Sequence, residues 1–260
     1  MGYQNADLVA NGQMKASPFV TIGTNGVYLS DLKVTGEPIA DEGGCWANVS
    51  IAMLTGTGFN QYVGDMIKTY YWYEEDGSFE PGWYDESEKP LKNNASPLGN
   101  ANEILFEQGE AMWLNVDAEY AGCTIDYKGS VLPSSFAYPL VANGQMVGNP
   151  HPAPVYLADI TVTGEPIADE GGCWANVSIA MLTGTGFNQY VGDMIKTYYW
   201  YEEDGSFEAG WYDESEKPLK NDASPLGNAD EISFAPAQGI WVNVDAEYAG
   251  CTLNFPAISL

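Results

Sequence analysis

MIKTYYWYEEDGSFEPGWY, residues 66–84, reads as two strands joined by a tight turn, and it recurs at 194–212 with one change, Pro81 to Ala209. Aromatic and β-favouring residues fill Met66–Tyr73, Asp76-Gly77 marks a hairpin, and Ser78–Tyr84 is the expected return strand. Pro81 cannot donate to a ladder, so it belongs on an edge or a bulge. Working outward, residues 34–80 recur letter for letter at 162–208, an offset of 162 − 34 = 128. Across 34–126 and 162–254 the copies differ at 13 of 93 positions. A unit this long is a whole domain rather than a solenoid repeat. The chain of 260 residues therefore reads as a first β domain over 1–132 and a second over 133–260.

Further strands are expected at Val49–Leu54, Glu103–Phe106, Ala111–Val116 and Gly122–Tyr127, with one helical turn at Tyr28–Leu32 and its copy Tyr156–Ile160. Seven or eight short strands per copy with Gly-rich turns predict an all-β fold: two tandem, near-identical antiparallel sandwiches or barrel-like domains. LVANGQM opens each copy, at 8–14 and 140–146. That offset is 140 − 8 = 132, so the second copy has lost four residues in the Gly/Pro/Asn-rich loop before Val155. VLPSSFAYP (131–139) reads as a stiff linker. The differences between copies cluster at 105–114 against 233–242: Met112/Ile240 and Leu114/Val242 change conservatively at inward-looking positions beside the shared Trp113/Trp241, and the polar swaps before them read as drift in a solvent-facing loop.

The 36 acidic residues against 9 basic ones, all lysine, give a net charge of −27. Nucleic acid and anionic membranes would find no positive stripe. Without arginine, bidentate phosphate recognition is disfavoured too. No apolar run is long enough for a membrane span. The opening MGYQNADLVANGQMK lacks the basic-then-apolar order of a signal peptide, so an exported form would have lost its leader from this numbering.

The four cysteines are Cys45, Cys123, Cys173 and Cys251, with equal spacings of 123 − 45 = 78 and 251 − 173 = 78. One distant pair per copy suits the disulfides Cys45–Cys123 and Cys173–Cys251 better than zinc, which favours close-spaced ligand pairs. Each bridge would add about 4 kcal/mol in the chain-entropy model and implies an oxidising compartment.

Candidate chemistry is sparse. The sole histidine, His151, lies in the length-variable loop and has no counterpart in the first copy. A Ser-His-Asp triad would rest on it alone. The runs Glu74-Glu75-Asp76 and Asp85-Glu86-Ser87-Glu88 offer carboxylates for glycoside hydrolysis or weak calcium binding, but read first as solvated hairpin tips. No catalytic residue, cofactor or dedicated metal site is expected beyond weakly bound calcium. Tyr71, Tyr73, Trp83 and Tyr84, with their copies Tyr199, Tyr201, Trp211 and Tyr212, are the candidate glycan-stacking platform. Strand alternation puts Tyr71 and Tyr73 on one face and Tyr70 and Trp72 on the other. The apolar tail CTLNFPAISL aligns with CTIDYKGSVL (123–132), which runs into the second copy. A free tail meeting the head of the next molecule would propagate as a filament. Leu8, Val9, Leu253, Phe255, Ile258 and Leu260 are the assembly candidates.

Gly2-Tyr3, Gly64-Asp65, Tyr71–Tyr73, Gly82-Trp83-Tyr84 and Trp113, in that order, resemble β-rich repeat domains in uncharacterised secreted proteins of Gram-negative bacteria, notably the verrucomicrobial group. The resemblance covers most of each copy and departs at Tyr138-Pro139. It implies an exported, surface-associated product without established catalytic residues. The expectation is a non-enzymatic extracellular structural protein, subunit of a filament or surface layer, with itself as partner. The alternative is a glycan-binding adhesin using the aromatic block.

Overall fold

The computed structural model describes residues 2–8, 11–36, 49–54, 66–75, 78–116, 122–141, 143–164, 177–182, 194–203, 205–244 and 250–259. It is all-β. In the first copy the strands are β1 Gly2–Asp7, β2 Asn11–Ala16, β3 Gly26–Tyr28, β4 Lys33–Thr35, β5 Val49–Leu54, β6 Met66–Tyr73, β7 Gly82–Tyr84, β8 Leu105–Glu107, β9 Ala111–Val116 and β10 Thr124–Gly129. In the second they are β11 Phe136–Pro139, β12 Asn143–Gly148, β13 Val155–Tyr156, β14 Thr161–Thr163, β15 Val177–Leu182, β16 Met194–Tyr201, β17 Gly210–Tyr212, β18 Ser233–Phe234, β19 Gly239–Val244 and β20 Thr252–Phe255. The expected helical turns are single 3-10 turns at Leu29–Asp31 and Leu157–Asp159.

Each copy builds a three-stranded sheet (β1-β10-β4; β11-β20-β14), a five-stranded sheet (β2-β9-β5-β6-β7; β12-β19-β15-β16-β17) and a two-stranded ribbon (β3-β8; β13-β18). All the ladders are antiparallel. Among the described residues no sheet closes on itself, so the barrel-like alternative is set aside. Ala6, Val34, Ile125 and Tyr127 of the small sheet meet Tyr70, Trp72, Met112, Leu114 and Val116 of the large one in a single apolar core. The second copy repeats this around Val162, Leu253, Tyr198, Trp200, Ile240 and Val242.

Several sequence expectations change, among them the bounds of β8, expected at Glu103–Phe106, and of β10, expected at Gly122–Tyr127. The return strand is only Gly82–Tyr84, with Pro81 just before it. Part of the supposed linker, Phe136–Pro139, is strand β11, paired with β20. The polar part of the variable stretch is not wholly solvent-facing: Glu107 and Ala235 are exposed but Gly109 and Ala237 are buried, while Met112, Leu114, Ile240 and Val242 look inward as expected.

Gly109 and Ala237 are buried where the two copies meet. Lys15 bridges Gln238, and Val147 bridges Glu110. The Ala16 amide donates to the Ala237 carbonyl (3.0 Å), and the Gly148 amide to the Gly109 carbonyl (2.8 Å). Under the two offsets, Lys15 corresponds to Val147, Glu110 to Gln238, Ala16 to Gly148 and Gly109 to Ala237. Each contact therefore has its reciprocal, the signature of a two-fold, isologous interface. Equivalent residues also face one another. A methyl added to Gly148 would lie 1.9 Å from the Ala16 Cβ, and one added to Gly239 would lie 3.2 Å from the Ala111 Cβ. Full symmetry would set alanine against alanine at both places, and the second copy carries glycine at each.

Candidate functional site

The densest cluster of distinctive side chains is the aromatic block on β6 and β7. Their register pairs Tyr71 with Tyr84, Trp72 with Trp83 and Tyr73 with Gly82. Cross-strand partners share a face, so Tyr71, Tyr73 and Tyr84 lie on one side and Trp83 on the other. The four platform candidates are thus split. On the core side, Trp72 and Trp83 meet edge to face with centroids 5.2 Å apart, and the Trp83 indole N–H donates to the Leu32 carbonyl at 2.9 Å. On the outer side, Phe79 folds back onto Tyr73 (4.4 Å, stacked) and Tyr84 (5.3 Å, edge to face). The Tyr84 hydroxyl donates to the Glu80 carbonyl. As a result Tyr73 is 6% exposed and Trp83 and Tyr84 are each 5% exposed, while Tyr71 is partly buried. The copy Tyr199, Tyr201, Trp211, Tyr212 is arranged alike, with the Trp211 N–H donating to the Ile160 carbonyl at 2.7 Å. An open row of ring faces for sugar stacking is therefore absent among these eight residues.

What remains open is a cleft beside the tryptophans. In the first copy it holds about 240 Å³ between Lys33, Trp72, Trp83, Pro90 and Lys92; in the second about 340 Å³ between Thr161, Trp200, Trp211, Pro218 and Lys220. Lys92 pairs with Glu80 at its rim, and Lys220 with Glu208. In each pair the hydrogen bond, and then the opposite charge, raises the lysine and lowers the glutamate from their ordinary values. The wall beyond is organised by Asp85, whose carboxylate accepts from the Ser87 and Lys89 amides and the Ser96 hydroxyl. Burial pushes this carboxyl up, but those donors together outweigh it and hold it below its usual value. Asp213 is built identically. Asp85 is thus a turn organiser, while Glu86 and Glu88 are exposed. Asp76 lies outside the described residues, and no group of three metal-ligating side chains occurs among those described.

The assembly candidates are distributed differently from expectation. Leu8, Leu253 and Phe255 are buried in the cores of their own copies, at 1%, 0% and 1% exposure. Leu253 and Phe255 sit on β20, the middle strand of its sheet, where residues 252–254 pair on both sides and Phe255 pairs with Phe136. Ile258 is partly buried, and its amide donates to the Pro133 carbonyl. Val9 and Leu260 lie outside the described residues. Of the cysteines, Cys123 and Cys251 are fully buried, and burial followed by Glu74 pushes the Cys123 thiol up. Cys45 and Cys173 lie outside the described residues, and no disulfide is present among those described.

His151 is wholly buried. Neither ring nitrogen makes a well-formed hydrogen bond, and burial lowers its basicity despite the nearby Pro256 and Leu132 carbonyls. Those two carbonyls place the ring between the inter-copy segment and the tail. Sequence reasoning missed Glu110, a partly buried carboxyl at the copy–copy contact whose pKa burial, opposed by a Glu107 backbone bond, pushes up to about 7. Its only signal was the Glu-to-Gln difference between copies. No family model matches the chain, and no curated protein or solved structure does either.

Proposed function

We propose that this is an exported, non-enzymatic structural protein that associates with copies of itself, as the subunit of an extracellular filament or surface layer. The supporting observation is that the chain already joins two copies of one β module by a like-to-like, backbone-bonded contact. Cys45–Cys123 and Cys173–Cys251 disulfides would lock each module; intact-mass measurement with and without reduction tests them. The carboxyl-terminal segment is a poor adhesive end, because Leu253 and Phe255 complete their own core. Assembly then falls to exposed strand edges. Negative-stain electron microscopy of the purified chain tests the reading: regular fibres or sheets support it, and dispersed particles at every protein and salt concentration sink it.

The cleft beside Trp83, repeated beside Trp211, favours a second reading as a bivalent glycan binder. Sugars would meet tryptophan edges and the Lys92 and Lys220 rims. Lys92→Ala with Lys220→Ala changes the cleft without touching the core. A glycan array that retains no sugar, or one whose hits are indifferent to both substitutions, rejects this reading.

A further inference from the structure

We infer that the edge of β1 is a self-association surface, pairing antiparallel with β1 of a second molecule about a two-fold axis. This rests on the assembly reading and names the contact. The direction of the β1 hydrogen bonds follows from the bulge that ends it. The Leu8 amide donates to the Cys123 carbonyl, and the Gly122 amide to the Leu8 carbonyl, with Gly122 at φ 97°. Leu8 therefore faces β10, and by alternation so do Ala6, Gln4 and Gly2. The amides of Tyr3, Asn5 and Asp7 point away, and β10 is the only ladder partner of β1 among the described residues.

The equivalent edge in the second copy is guarded. The Leu140 amide donates to the Cys251 carbonyl, so Ala137 and Pro139 point outward on β11. Pro139, the counterpart of Asp7, has no N–H to offer, and β11 is four residues long against six for β1. Proline and shortness are standard protections of a strand edge. β4, β7, β14 and β17 are three-residue edges, and β2 and β12 meet at the copy–copy contact. Among the described edge strands, the long one outside the copy–copy contact is β1.

The occupant is a second copy of this chain because the strand is self-complementary. Centred on Asn5, the antiparallel pairing sets Tyr3 opposite Asp7 and Gln4 opposite Ala6, so no like charges oppose each other. Asp7 is the one charged residue of β1 in a chain of net charge −27. Overall repulsion should then limit pairing at low salt and relax as salt screens it. An isologous contact closes on itself, so this contact alone gives a dimer, and a filament or layer takes a second contact.

The test is light scattering and sedimentation of the full chain against concentration, at low and moderate salt. Expected is a dimer that strengthens with salt, persists in Asn5→Ala and weakens at least tenfold in Asn5→Pro, which removes an outward amide. Asn5→Lys is the second variant. It sets lysine beside Asp126 within one molecule, but lysine against lysine across the axis. A chain monomeric under all conditions, or a dimer indifferent to both Pro and Lys, overturns the inference. Polymers that survive both variants overturn it while leaving the assembly reading intact. β1-dependent dimers that never lengthen uphold the contact and sink the filament.

Discussion

Several single side chains have roles that their residue type alone does not reveal. Trp83 reads as an exposed stacking residue, yet its N–H satisfies the buried Leu32 carbonyl. Trp83→Phe should cost about 1–3 kcal/mol in chemical denaturation, because the carbonyl loses its donor, with oligomeric state unchanged. Glu110 is the most informative titratable group. Its pKa, raised from 4.5 to about 7, means the folded chain binds more protons than the unfolded chain in that interval. The carboxyl's contribution is most favourable below pH 4.5 and is lost as pH rises through about 7. Glu110→Gln, which copies Gln238, should raise stability at pH 8 by roughly 1–3 kcal/mol and remove that slope. His151 acts oppositely: its lowered basicity gives stability that is present above its unfolded value of 6.5 and lost as pH falls. Denaturation of the wild-type chain and the Glu110→Gln variant between pH 5 and 8 separates the two, and a slope that the substitution leaves unchanged would refute the assignment.

Among the elements, β5, β6 and β9 have the bounds read from sequence, because their β-branched, aromatic and apolar runs state the period directly. β1 and β2, GYQNAD and NGQMKA, carry no such signal. They are strands because β10 and β9 offer them ladders, a choice made by tertiary pairing rather than propensity. Gly122 sets the register of β1 against β10 through its φ of 97°. Gly122→Ala should destabilise the chain by about 1–2 kcal/mol, and its counterpart Gly250→Ala likewise, read by thermal melting. Removing 253–260 deletes the middle strand of a sheet. That truncation should abolish folding of the second copy, and a truncated chain with a wild-type melt would contradict the placement of β20.

At the scale of the molecule, the reciprocal contact explains where the copies diverge. Two identical modules meeting about a two-fold would bring alanine onto alanine at 16/148, where a second methyl would lie 1.9 Å from the first, and at 111/239, where the approach would be a tight 3.2 Å. Gly148→Ala restores that symmetry and should cost about 1–3 kcal/mol through overpacking. Adding Ala16→Gly should recover most of the loss, since only one methyl fits at the axis. A double mutant no better than the single would show that the clash is not shared. The closed geometry also bears on the proposed assembly: a contact that saturates between copies within one chain is no template for open growth, so under that proposal further subunits would join elsewhere, as inferred for β1.

The sequence by itself determined that the protein is β-rich, that one pattern occurs twice, and which runs form the central strands, because local period and turn chemistry carry that information. It also determined the charge, and with it the classes of partner that electrostatics disfavours. Which face each tyrosine and tryptophan takes, that the tail is core, and that the variable stretch is an interface were decided only by tertiary structure. Register, edge exposure and copy–copy approach depend on residues that lie far apart along the chain. Phe79 over Tyr73, Trp83 under Leu32 and Ala16 against Gly148 are proximities that no local window contains.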